Sequence, residues 1–144
     1  MGFAFAFTSS DVPLRYFLSI LLTMKADMKN IEKGIKFFNE GHFFEAHETW
    51  EDQWRQTEKS PEKYFIQGLI VIAVALHHFK RKNYTGTSKL LEKGIKLLKE
   101  FNEPKMKIDR EKFLKEITLF QEKFKLSREC VSGAELPRIK KFLS

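Results

Sequence analysis

The sequence predicts an all-α fold, a compact bundle of about five helices, on three observations. Gly and Pro are scarce, seven and four of 144 residues, while Lys, Glu, Leu and Phe abound. From Met28 onward apolar residues recur at helical spacing, and helix start and stop residues bound each stretch. One stretch, about 61–82, is apolar on every side, as a helix enclosed by the others must be. At 42% hydrophobic and 31% charged residues the chain reads as one globular domain, long enough to bury a sizeable core. Its single cysteine, Cys130, excludes an intramolecular disulfide framework and any multi-cysteine zinc module.

Residues 1–27 read as a hydrophobic N-terminal extension to a helical domain at 28–144. The apolar run from Tyr16 to Met24 is interrupted by Ser19 and Thr23 and is shorter than the roughly 20 residues a spanning helix needs. Arg15 is its only basic residue, so it lacks the basic region and cleavage pattern of a secretory signal. An extra docked helix, a loosely attached or membrane-associating extension, and a start codon assigned too early all fit. Met24 and Met28 are alternative starts, because amphipathic patterning begins just after them.

Each helix has a local reason. Ile31, Ile35 and Phe38 recur at i, i+4, i+7 between Asn30 and Asn39, and Gly41 supplies the stop. A second helix is predicted from about His42 to Gln56. Ser60-Pro61-Glu62 is a helix start, with a capping hydroxyl, a proline at the first position and an acid in the first turn. The third helix then runs to about Lys82; its β-branched run could pass for a strand, but about 22 unbroken residues decide against that. Asn83 caps a fourth helix, Tyr84 to about Phe101. Asp109 caps a fifth, whose Phe113, Ile117, Phe120 and Phe124 form a narrow stripe, and Ser132-Gly133 precedes a short tail from Leu136 to Leu143.

Two weak echoes run through the chain. Glu32-Lys-Gly-Ile-Lys36 returns as Glu92-Lys-Gly-Ile-Lys96, sixty residues on, and the turn before Phe43 resembles Lys82-Asn-Tyr84, forty-one residues on. Both give the hairpins a faintly tetratricopeptide-like look, but neither spacing fits that 34-residue repeat. The net charge of +7 is uneven. Residues 30–58 hold seven acidic against three basic side chains, and residues 77–101 seven basic against two acidic.

Chemistry is concentrated in the second helix. On a wheel of about 100° per residue with Phe43 at zero, Trp50 falls near −20°, Trp54 near +20°, His47 near +40°, Glu51 near +80° and Phe44 near +100°. His47 and Glu51 thus sit within the aromatic arc, and Glu48 at its edge. A carboxylate placed there needs a partner. His47 and Glu51 are i, i+4 neighbours able to meet directly or through a metal, and Arg55 is a further i, i+4 partner for Glu51. The third helix offers His77 and His78, with His78 on the same stripe as Gln67 eleven residues earlier. One or two carboxylates with two imidazoles suit a divalent ion such as zinc, manganese or iron. The expected ligands are His47 and Glu51, completed by Glu48, His77 or His78; Phe44, Trp50 and Trp54 wall the site, and Arg55 and Gln67 support it. Glu48 is a candidate general base. A ligand-free polar cluster that fixes how two helices meet explains the same residues. The segment is neither a His-Glu-x-x-His zinc-protease helix nor a di-iron pair of Glu-x-x-His segments.

Gly41-His-Phe-Phe-Glu-Ala-His-Glu-Thr-Trp-Glu-Asp-Gln-Trp-Arg55, with Phe65-Ile-Gln-Gly-Leu-Ile and Leu90-Leu-Glu-Lys-Gly, resembles a small bacterial and archaeal family, domain of unknown function 309. The likeness covers about residues 30–101 and is most specific at a His-x-x-x-Glu-x-x-Trp/Tyr motif, matched by His47, Glu51 and Trp54. It implies an all-helical bundle and a metal-binding role for the motif, with no established reaction. Three functions compete: a metal-binding domain of hydrolytic type; a non-enzymatic protein-interaction domain; and nucleic-acid binding through the basic helix 80–99. In that last region Lys89, Lys93 and Lys96 form a stripe without interleaved aromatics, so a solvated face is the better reading. The pattern argues for a cytoplasmic location and against membrane or nucleic-acid partners, and leaves a homo-oligomer open. Cys130 has no base assigned to it as a nucleophile.

Overall fold

A computed structural model describes residues 13–102, 106–127 and 136–141. Five α-helices carry the fold among these: α1 Leu14–Asn39, α2 Phe43–Gln56, α3 Pro61–Lys80, α4 Tyr84–Glu100 and α5 Arg110–Leu126. Residues 1–12, Cys130, Ser132-Gly133 and the end of the tail lie outside the described residues. Among the described residues no helix is long and apolar enough to cross a membrane.

The expected starts are present atom by atom. Ser60 Oγ accepts from Lys63 N, Asn83 Oδ1 from Gly86 N, and Asp109 Oδ1 from Lys112 N, so each caps its helix. Two boundaries differ. The first helix does not begin near Asn30; it runs unbroken from Leu14, so the helix crosses the anticipated division at 27/28. The third helix ends at Lys80 because Lys82 takes a left-handed conformation, φ 62°.

The two tight turns share one hydrogen-bond pattern. After α1, His42 N donates to Phe37 O and Gly41 N to Phe38 O, with Gly41 at φ 82°. After α3, Asn83 N donates to His78 O and Lys82 N to Phe79 O. Both are Schellman turns, and that common C-cap is the physical content of the forty-one-residue echo. The sixty-residue echo has a different cause. A Cβ on Gly34 would stand 2.1 Å from Trp50 Nε1, and one on Gly94 2.5 Å from Ile72 Cδ1. Each glycine admits a large side chain from a neighbouring helix, but Gly34 precedes its partner helix and Gly94 follows it.

Helices adjacent in sequence pack against each other, α1 on α2, α2 on α3 and α3 on α4, and α5 lies against α4. The central position of α3 is borne out: Phe65, Ile66, Leu69, Ile72, Ala73, Ala75 and Leu76 are all buried. Aromatic edges join distant elements. Phe38 meets Phe43 at 5.1 Å, Trp50 at 5.9 Å and Phe113 at 5.6 Å between ring centroids, and Phe79 meets Phe120 at 5.1 Å. The stripe Phe113, Ile117, Phe120 and Phe124 is the buried face of α5, as its spacing required.

Candidate functional site

The buried face of α2 is Phe43, Ala46, Trp50 and Gln53, which moves the inward arc to the side of Trp50 away from Glu51. The aromatic residues had pulled the expected arc the wrong way. Small Ala46 lets the helix approach its neighbours, and Gln53 is buried because its amide is satisfied, accepting from Asn30 Nδ2 at 3.3 Å and donating to Thr57 Oγ1 at 3.5 Å. His47 and Glu51 therefore occupy the rim of the helix, with side chains 24% and 34% exposed, and Phe44 is 46% exposed.

On that rim the polar side chains form a ladder. His47 Nε2 lies 2.8 Å from Glu51 Oε2, and Arg55 Nη2 lies 2.8 Å from Glu51 Oε1. Arg55 Nη1 also reaches Asp52 Oδ1 at 3.2 Å. The i, i+4 geometry anticipated for His47, Glu51 and Arg55 is present, as a direct contact.

The residues of α3 stand apart from this pair. The Phe44 ring lies between two imidazoles, 5.8 Å from His47 and 5.5 Å from His77. His78 is held at the α3–α4 turn, its Nδ1 3.1 Å from Asn83 Nδ2. Since Asn83 donates there, His78 carries its proton on Nε2. Neither Glu48, which is exposed, nor half-buried Gln67 hydrogen-bonds to the pair. Trp50 is fully buried and faces α1, where Nε1 donates to Ile31 O at 3.2 Å. Trp54 is half-buried; Lys63 Nζ sits 4.2 Å above its ring, and its buried Nε1 finds no hydrogen-bond partner among the described residues.

His77 titrates below the usual histidine range. Partial burial is the largest cause; Arg81, His78 and His47 add repulsion for a proton, and Glu45 opposes them. His77 is thereby kept neutral and able to act as a ligand at neutral pH.

Two donors fit a divalent ion and a third does not. Ligand atoms on a tetrahedral ion stand about 3.3 Å apart, so the 2.8 Å between His47 Nε2 and Glu51 Oε2 needs only a small side-chain adjustment. Arg55 is 61% exposed, and an ion pair so open to solvent is worth about 1 kcal/mol or less, too little to hold Glu51 against a cation. No group of three or more His, Cys, Asp or Glu side chains among the described residues, around this pair or elsewhere, is placed to hold a metal.

Residues 31–90 match the family model described as a domain of unknown function, DUF309. The matched stretch contains the whole ladder, both Schellman turns, all of α2 and α3, the end of α1 and the start of α4. The chain is also similar to the Bacillus subtilis (strain 168) protein named uncharacterized protein YpuF, 32% identical over 68 residues. The shared region is 47% of this chain and 39% of YpuF.

Sequence reasoning missed two polar positions. Buried Gln53 could have been found, since it falls on the same wheel face as Trp50. Asn39, whose side chain binds the backbone of Ile139, leaves no sequence signal, because its partner is 100 residues away.

Proposed function

We propose that this chain is a binding domain whose site is the His47–Glu51 pair, within the stretch that matches the DUF309 model, and that its ligand is a divalent metal ion held in an open site. The observation that carries this reading is the 2.8 Å approach of an imidazole nitrogen and a carboxylate oxygen on an accessible helix rim. The protein supplies two ligands, and water or an oxygen of a bound molecule supplies the rest. Such an ion offers Lewis acidity to that molecule. Arg55 orients Glu51, and neutral His77 beside Phe44 offers a hydrogen bond to what binds.

The test is calorimetric titration of zinc and manganese into protein without a His tag. Wild type is expected to bind one ion, with affinity reduced about ten-fold or more in His47→Ala and Glu51→Ala and unchanged in Glu48→Ala. No saturable binding by wild type at millimolar ion, or equal binding by all four proteins, removes the metal reading.

A second reading has its own observation. Phe44 is 46% exposed between His47 and His77, more apolar surface than a ladder needs. In a non-enzymatic interaction domain that ring is the contact. Phe44→Ala then abolishes a partner contact that His47→Ala and Glu51→Ala leave intact.

A further inference from the structure

The C-terminal residues 136–141 are bound to the bundle as an extended peptide is bound to a receptor. Asn39 grips one residue from both sides: Nδ2 donates to Ile139 O and Oδ1 accepts from Ile139 N, each at 2.8 Å. Glu116 Oε1 accepts from Arg138 N at 3.2 Å, and Asp109 N donates to Lys140 O at 2.8 Å. Ile108 and Lys141 complete an antiparallel β-bridge.

Side chains alternate as in a bound strand. Pro137 and Ile139 point inward and are buried, Ile139 to 2% exposure, while Arg138 and Lys140 point outward. Charge on the rim is mixed: Glu32 pairs with Lys141 and Glu116 accepts from the Arg138 backbone, while Lys112 stands against Lys140 and Lys80 lines the same groove. Affinity from main-chain bonds and selection by alternate pockets is the logic of strand-type peptide recognition. The hydrogen-bonding receptor atoms belong to α1 and to residues 108–116, and Gly41, Phe43 and Lys80 also line the groove.

We propose that this groove is a peptide-recognition surface, occupied by the chain's own residues 136–141 as a tethered ligand, and that it takes in exchange an extended Pro-Xaa-Ile-basic segment of a partner protein. A tethered segment competes at an effective concentration on the order of millimolar. A free peptide of the same sequence therefore binds wild type poorly and binds well once the tether's own grip is weakened.

The experiment titrates a fluorescent peptide with the sequence of residues 134–144 into the full chain. Ile139→Ala is expected to bind it at least about ten-fold more tightly than wild type, and Asn39→Ala combined with Ile139→Ala to lose that gain. Equal affinity for wild type and Ile139→Ala overturns the proposal, as does binding indifferent to Asn39. Dimers of wild type forming at the concentrations used overturn it in favour of exchange between copies. Hydrogen exchange on the unaltered protein is a readout free of folding defects. Ile139 and Asp109 amides are expected to exchange through local opening, faster than the amide of buried Ile72. Exchange of all three only on global unfolding shows that the segment does not leave its groove, and ends the proposal.

Discussion

At the residue scale, His77 decides more than its distance from the His47–Glu51 pair suggests. Its pKa is lowered by burial first and by Arg81, His78 and His47 after that. The sign follows directly: the unfolded chain takes up the proton near the ordinary value of 6.5, before the folded protein does. The stability of neutral His77 is complete above that value and is lost as pH falls through the lower folded one. Denaturant unfolding from pH 8 to pH 5 is expected to show a decline that His77→Gln makes shallower. An equally steep decline in that variant would assign the effect to other groups. The ladder on α2 contributes little, because surface ion pairs are worth about 1 kcal/mol or less.

At the element scale, the turns and helix crossings set where the site residues stand. Gly41 and Lys82 occupy the same position in two Schellman turns, one with glycine's freedom and one without it. A left-handed non-glycine residue is strained by about 1 kcal/mol, so Lys82→Gly is expected to stabilise the protein by up to that amount and Gly41→Ala to destabilise it similarly. Gly34→Ala is a larger insult. Its Cβ would meet the Trp50 ring and push Nε1 from Ile31 O, an overpacking expected to cost about 1–3 kcal/mol in urea unfolding. An unchanged midpoint would mean that α1 and α2 slide apart without loss.

At the scale of the whole molecule, Phe38 is where separate parts of the chain meet. Its ring touches Phe43, Trp50 and Phe113, so α1, α2 and α5 share one contact, and Asn39 beside it holds the C-terminal segment. Phe38→Ala is expected to lower unfolding free energy by about 3–5 kcal/mol. Phe44→Ala, at an exposed position at the start of α2, should stay within about 0.5 kcal/mol. Comparable losses would place Phe44 in the core and remove it as a contact surface.

Local rules alone determined much of this protein. Ser60, Asn83 and Asp109 start helices because their side chains satisfy backbone N–H groups three residues on, and Gly41 stops one because it tolerates a positive φ. The α5 stripe and the enclosed α3 follow from the period of the apolar residues, and the contact between His47 and Glu51 from their i, i+4 spacing. Tertiary structure decided which face of α2 turns inward. Burial depends on the neighbours that Ala46 and Gln53 can accept, and a wheel weighted by aromatic residues cannot contain that information. It also decided that the Phe44 ring meets both His47 and His77, and that Asn39 binds Ile139. Those outcomes are fixed by residues far apart in the chain, whose meeting depends on the packing of whole helices.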